Sequence, residues 1–236
     1  MKILKYLVLS LFTAILFLSC EKNNTSSSKA DPSKKMVVTS LEKEKETEYY
    51  KYSIDIPQIS NSDSEDTTYF NMSMQENSRN IIENMATSDQ EGEFRSAYVN
   101  YKAYDSSFDV LSIVVTSELD YVGSAHPTHS VESFIFSNKT HSLIPMNTLL
   151  NEDDIDYFNM LINDHIRDKK TVYNTQGEEC MLFDDAEANV KDSTIYFDGN
   201  NMVFLFPEYY LSPYSSGIPM FKFEKSVVKK YIHLNN

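Results

Sequence analysis

The feature that most restricts this chain is an apolar run too short to span a membrane, ending at a cysteine. Lys2 and Lys5 lead into Tyr6–Leu18, which is interrupted only by Ser10 and Thr13, and Ser19-Cys20 follows. Roughly 13 apolar residues fall well below the 20 or so a bilayer span needs, so the stretch reads as an export signal. A domain sent outside the cytoplasm can draw on disulfides to reinforce its core. Here the only other cysteine is Cys180, so once Cys20 is set aside no intramolecular pair remains. The fold must rest on its hydrophobic core alone. About 190 residues are left for it, enough for one domain.

A small residue followed by Cys at the end of such a run resembles the lipobox of bacterial lipoproteins, although Phe17 stands where Leu is usual. The resemblance implies cleavage before Cys20 and a lipid thioether on its sulfur, converting a spanning segment into an anchor. The expected organisation is a signal peptide over 1–19, a flexible tether over 20–46 and a folded domain over 47–236. That domain has two subregions, about 47–118 and 119–236. The tether assignment rests on Asn23–Ser28 and Ala30–Lys35, which hold almost no apolar residues and cannot offset their ordering entropy. The location implied is the cell envelope, periplasmic or surface-exposed, with the membrane held through Cys20.

Charge is distributed unevenly. Cys20–Glu46 carries six Lys against five acids, whereas Thr47–Asn236 carries 13 Lys plus Arg against 30 Asp plus Glu, a net of −17. Phosphate backbones require a basic footprint, so nucleic acid is excluded as a partner. A cationic partner would be steered toward such a field, although acidity also serves plain solubility.

Within the domain, Tyr50–Ile56 alternates with period two and reads as a strand ending at Pro57. Asp66–Ala86 reads as a helix with Phe70, Met74, Ile81, Ile82 and Met85 along one side and Ser64 or Asp66 as its cap. Ala97–Tyr104 and Val110–Thr116 form two strands about the Asp105–Ser107 turn, and Val131–Phe136 another. Asn151–Lys170 is the clearest helix. It has an Asn cap, three acids in its first turn and basic residues at its end, as the helix dipole favours. Thr194–Phe197 and Met202–Phe206 flank the Asp198–Asn201 turn of a hairpin. Met220–Phe223 is a last strand, and Glu224–Ile232 a short terminal helix. The fold class is α+β: a mostly antiparallel sheet with two main helices packed on it and a short C-terminal helix.

Two loops stand out. The first is Tyr121-Val122-Gly123-Ser124-Ala125-His126-Pro127, and the second runs from Phe206-Pro207-Glu208 through Tyr209 and Tyr210 to Pro213-Tyr214-Ser215-Ser216-Gly217. With the helix between them they resemble the extracytoplasmic domain of RsiV-type anti-sigma factors, also found ahead of the catalytic half of PdaC-type peptidoglycan deacetylases. Gly123, Ala125, His126, Pro127, Pro213, Tyr214 and Gly217 match that pattern, while Ser124 replaces its second glycine. The resemblance covers about Glu48–Ile232. It implies an RsiV-like α+β domain and, since RsiV-type domains sense lysozyme, a lysozyme-like muramidase or a cell-wall glycan as partner. A counterpart of the deacetylases' catalytic half is not expected, and with five residues ahead of the apolar run an anti-sigma role is not expected either.

The binding residues expected are Tyr121, Gly123, His126, Tyr209, Tyr210 and Tyr214, with Cys20 as the lipidated residue. Gly123 supplies backbone freedom or a close approach. Pro127 keeps His126 extended, so its ring can bond backbone through one nitrogen and leave the other free. His126 is read as a satisfied structural histidine, a binding residue, or a catalytic base or metal ligand. His126 and His129 lack a third zinc ligand nearby. Tyrosines on a rigid loop make good contacts, while the same rings also pack readily into a core. No catalytic residues, metal or cofactor are assigned: there is no Gly-x-Ser-x-Gly elbow, phosphate loop or zinc-protease helix, and Glu178-Glu179 beside Cys180 oppose a thiolate. The expected role is a cell-envelope binding module, with a muramidase as leading partner. The alternatives are a hydrolase of wall polymer acting through His126, and a structural envelope protein.

Overall fold

The structure, a computed structural model, describes residues 34–86 and 94–234. The signal peptide, Cys20 and the first part of the tether lie outside the described residues. No helix among those described is long and apolar enough to cross a membrane.

Strands β1 (Val37–Glu46) and β2 (Lys51–Ser60) form a hairpin that leads into α1 (Glu65–Ala86). Strands β3 (Phe94–Asp105), β4 (Val110–Tyr121) and β5 (Thr128–Ser137) then complete a five-stranded sheet in the order β1-β2-β3-β4-β5. Its neighbours are antiparallel except for β2 and β3, which are parallel. A parallel pair needs a long crossover, and α1 supplies it. Ser64 caps α1, its Oγ accepting from the Asp66 N–H at 3.2 Å. Asp66 turns outward instead, accepting from the Leu143 N–H at 2.9 Å. Phe70, Met74, Ile81 and Met85 recur at helical spacing and are buried against Ile54, Val99, Ile113 and Phe136 of the sheet.

After two helices, α2 (Met146–Leu149) and α3 (Glu152–Arg167), come β6 (Tyr173–Asn174), β7 (Thr194–Asp198), β8 (Asn201–Leu205), β9 (Pro219–Glu224) and α4 (Lys225–Val228). These strands make a second sheet ordered β6-β9-β8-β7, antiparallel throughout. Asn151 caps α3 in a reciprocal capping box with Asp154. Phe158 and Ile162 of α3 bury against Ile195, Phe197, Met202 and Phe204, one face of the second sheet. Its other face, with Tyr196, Val203 and Leu205, closes on Val114 of the first sheet. The layers are α1, first sheet, second sheet and α3, and the α+β class stands.

Strand β7 is an edge laid over the first sheet, and that burial leaves ladder groups to satisfy. Two serines answer for the missing strand. Ser112 Oγ accepts from the Phe197 N–H at 3.0 Å, and Ser133 donates to the Ile195 carbonyl. This accounts for two polar residues inside apolar strands, Ser112 being wholly buried. A buried N–H left without its acceptor would cost about 1–3 kcal/mol.

Three expectations change. The tether was read as reaching Glu46, yet Val37–Glu46 pairs with β2 along its whole length, and Met36 is buried. The alternating Lys and Glu that look like a spacer are the charged residues of an exposed edge strand. Strand β2 does not stop at Pro57. The Ile59 N–H points away from β1 to Asn71 Oδ1 of α1 at 2.7 Å, and groups two residues apart share an edge. The Pro57 nitrogen therefore lies on the side where pairing with β3 has already ended, at Ile54, and its missing N–H costs nothing. The terminal helix is one turn, Lys225–Val228, not nine residues. Beyond it Tyr231 stacks on Tyr157 at 3.7 Å and His233 Nε2 meets Asp154 Oδ2 at 2.8 Å, contacts that pull the chain off its axis.

Candidate functional site

The two sequence motifs are separated in the chain by most of its second half, and the packing of the sheets brings them together. The first connects β4 to β5. Gly123 has φ +84°, and a Cβ there would meet nothing within 4 Å, so the glycine serves backbone conformation rather than close approach. Ser124, at the position of the pattern's second glycine, closes the turn with its Oγ on the Tyr121 carbonyl at 2.9 Å and on Asp120 at 3.1 Å. Arg95 holds the same Asp120 at 3.3 Å.

The second motif follows β8. Its backbone is pinned by Ser212 Oγ donating to the Gly217 carbonyl at 3.1 Å and by a short 3₁₀ turn over Tyr214–Ser216. Tyr209 holds φ +63°, a left-handed conformation uncommon outside glycine. From there its hydroxyl reaches His126 Nε2 at 2.8 Å. His126 Nδ1 lies 2.9 Å from the Pro127 carbonyl and can only donate to it, so Nε2 is the acceptor and Tyr209 the donor. The expected bond to backbone is present, while the nitrogen expected to be free is engaged. Tyr214 stacks on the His126 ring at 3.9 Å and lies 5.6 Å from that of His129.

Below this stack sits a pairing that links both motifs. His129 Nδ1 lies 2.7 Å from Glu208 Oε1, and His129 Nε2 lies 3.3 Å from Glu118 Oε2. Either ring nitrogen can donate to the carboxylate it faces. The Glu208 side chain is only 10% exposed, a burial its histidine contact compensates. Burial, reinforced by Glu208 and Glu118, raises the Tyr214 hydroxyl above the usual phenol range, so it stays neutral and is no anionic nucleophile. Glu132, pushed up to about 7 by burial, belongs to the opposite face of β5 by strand alternation.

His129, Glu208 and Tyr214 form one side of a cleft of about 510 Å³ between the sheets. Tyr98, Asn100, Thr116 and Glu118 of the first sheet line its floor, and Asn174, Gln176 and Gly217 its far wall. Asn174 organises that wall: its Oδ1 accepts from the Gln176 and Glu178 N–H groups at 3.0 and 2.9 Å, and its Nδ2 donates to the Ser216 carbonyl at 3.1 Å.

Of the six expected binding residues, His126, Tyr209 and Tyr214 meet, and Gly123 shapes their loop. Tyr121 packs against the core beneath α1. Tyr210 stacks on Phe206 and donates to Asp192 at 3.0 Å, on the second core. Glu118, His129, Glu208 and the Asn174–Glu178 loop were not singled out as binding residues. Glu208 stands inside a recognised motif and His129 beside one, so the signal was available there; Asn174 carried none. The arrangement can bind polar groups against an aromatic face. Among the described residues no group of three or more His, Cys, Asp or Glu could hold a metal. Cys180 is buried and free, and burial raises its thiol.

Residues 43–129 match the family model described as deacetylase PdaC, and residues 147–226 that described as protein of unknown function DUF3298. No curated protein matches the chain. Among solved structures, a DUF3298 family protein from Pseudomonas aeruginosa PAO1 aligns with TM-score 0.52 at 13% identity, covering 86% of this chain and 95% of its own. A DUF3298 family member from Bacteroides fragilis NCTC 9343 aligns with TM-score 0.51, again at 13% identity, with the same coverage. At that identity the likeness is one of fold. The cleft draws His129 from the end of the first match and Glu208 and Tyr214 from the second, so it lies at their junction. The chain thus carries a match to PdaC over residues 43–129 followed by a match to DUF3298 over residues 147–226, a pairing of unknown function.

Proposed function

We propose that this protein is a cell-envelope binding module, lipid-anchored through Cys20, and that the inter-sheet cleft takes a segment of cell-wall glycan. The observation that carries the reading is the cleft itself. It sets a neutral tyrosine, Tyr214, beside the amides and hydroxyls of Asn100, Thr116 and Gln176 on backbone fixed by hydrogen bonds. A pyranose ring offers an apolar face to an aromatic ring and a rim of hydroxyls to such groups. Of the three acids that line the cleft, Glu118 and Glu208 already face His129, leaving Glu178. A neutral polar ligand therefore suits the cleft better than a cation.

Titration calorimetry of the protein with a β-1,4-linked N-acetylglucosamine oligomer tests this. Binding is expected, and Tyr214→Ala should weaken it by at least tenfold, about 1.4 kcal/mol. Absence of binding, or an unchanged affinity in the variant, rejects the cleft as the site. The muramidase reading keeps one support, the net −17 of Thr47–Asn236. Attraction of that kind is screened as the Debye length falls from about 30 Å at 0.01 M salt to 10 Å at 0.1 M. A lysozyme complex that survives this change and weakens with Tyr214→Ala would favour the protein partner over the glycan.

The anchor has its own test. Cys20→Ser should release the protein from membranes or leave its precursor uncut. Normal processing and membrane attachment of that variant would sink the lipid assignment.

A further inference from the structure

The cleft has a neighbour. Tyr98 lines it and also lines a second hollow of about 440 Å³, whose other walls are Glu44, Lys45, Glu46, Lys51 and Ser53 at the end of the β1–β2 hairpin. Strand register explains the continuity. Glu44 lies opposite Ser53, Ser53 beside Tyr98, Tyr98 opposite Glu118, and Glu118 opposite His129. These five residues form one row across all five strands. Alternation puts the row on the face away from α1, because Ile54, Val99 and Ser117, one position on, point the other way. At the usual strand spacing the row is about 19 Å long.

The second sheet covers this face over Tyr104, Ser112, Val114, Val131 and Ser133, so the row from Glu44 to Glu118 is left as an uncovered floor. Along it the charges are mixed. Lys51 lies 5.4 Å over the Tyr98 ring, and Glu44 and Glu46 lie on the same face. The floor thus presents a tyrosine midway, polar groups of both signs at the hairpin end, and the Tyr214–His126 stack at the other.

We infer that the ligand is an extended chain, a β-linked glycan strand, lying across this row with one end under Tyr214 and the other over Ser53. This inference rests on the glycan reading of the cleft and adds its length and direction. A compact ligand would fill the cleft alone, and only a chain reaches both hollows. Linking two subsites by one ligand multiplies their contributions, because the second contact is made at high effective concentration.

The test compares β-1,4-linked N-acetylglucosamine dimer and hexamer binding to the full chain in detergent. The hexamer should bind more than tenfold tighter than the dimer, beyond the statistical gain from its choice of registers. Ser53→Trp fills the distal hollow from an exposed position without touching the cleft; it should remove that advantage and leave dimer affinity unchanged. Lys51→Ala, which removes only an exposed side chain, should reduce the hexamer advantage in part. Equal affinities for dimer and hexamer, or a hexamer indifferent to Ser53→Trp, overturn the extended groove while leaving the cleft standing. If neither oligomer binds, the cleft reading and this one fall together.

Discussion

A chain beginning at Thr47 is expected to lose about 3–5 kcal/mol of unfolding free energy relative to one beginning at Lys34. The difference is β1 with the three residues before it, Lys34, Lys35 and Met36. Met36 is 4% exposed, and full burial of a methionine is worth about 1.5–3 kcal/mol. Val38 and Leu41 add partial burial against the same core, and ten residue pairs with β2 are lost. Regained chain entropy offsets part of this. What remains is still a large share of a typical total of about 5–15 kcal/mol. The shorter chain also exposes the edge of β2, whose Ile54, Ile56 and Ile59 are buried, so it should aggregate more readily. Urea unfolding of the two chains, with and without reductant, checks this. Coincident midpoints would show β1 to be dispensable, and a reductant effect would contradict a core that stands without disulfides.

Gly217→Val should be the most damaging single change in either motif loop, at about 2–5 kcal/mol. Gly217 has φ +72° and ψ −161°, a region essentially confined to glycine, where a side chain costs about 1–3 kcal/mol of strain. Space is short as well: a Cβ would stand 3.2 Å from Asn174 Nδ2 and 3.3 Å from Gln176 Oε1. Asn174 is buried and holds three backbone groups, so displacing it would leave buried polar atoms unpaired, about 1–3 kcal/mol more. Gly123→Val meets only the conformational cost, because nothing lies near its Cβ. His126→Ala loses its bonds to Tyr209 and the Pro127 carbonyl, near 1 kcal/mol. Measured unfolding free energies should therefore order the losses as Gly217, then Gly123, then His126. A His126→Ala loss exceeding that of Gly217→Val would refute the structural account of both loops. Because Gly217 and Asn174 also wall the cleft, the same valine should weaken glycan binding in whatever fraction remains folded.

Much of this fold is local, and the local part was legible. The helices α1 and α3 carry their apolar residues at helical spacing and their caps at the expected ends, and the β7–β8 hairpin is written in its turn residues. The two motif loops could be named, together with the glycines on which they depend. Wherever a residue's meaning depends on a distant neighbour, the sequence falls silent. The Lys–Glu alternation of β1 is the same for a solvated spacer as for an edge strand, and only pairing with β2 tells them apart. A proline would end a strand paired on both sides, and Pro57 is harmless because pairing with β3 has already ended at Ile54. Ser112 reads as an interruption until β7 is laid against it. At the site, Tyr209, Tyr210 and Tyr214 are equivalent as letters. The left-handed turn at Tyr209 and the packing of Phe206 decide that Tyr210 enters the core while the other two meet His126. His129 and Glu208 stand 79 residues apart, and no periodicity couples them. Local spacing and torsional preference thus determined the elements and their caps. The polar pairings that build the cleft were decided by the stacking of one sheet on the other, because a buried charge or hydrogen-bonding group must find a partner wherever the packing places one.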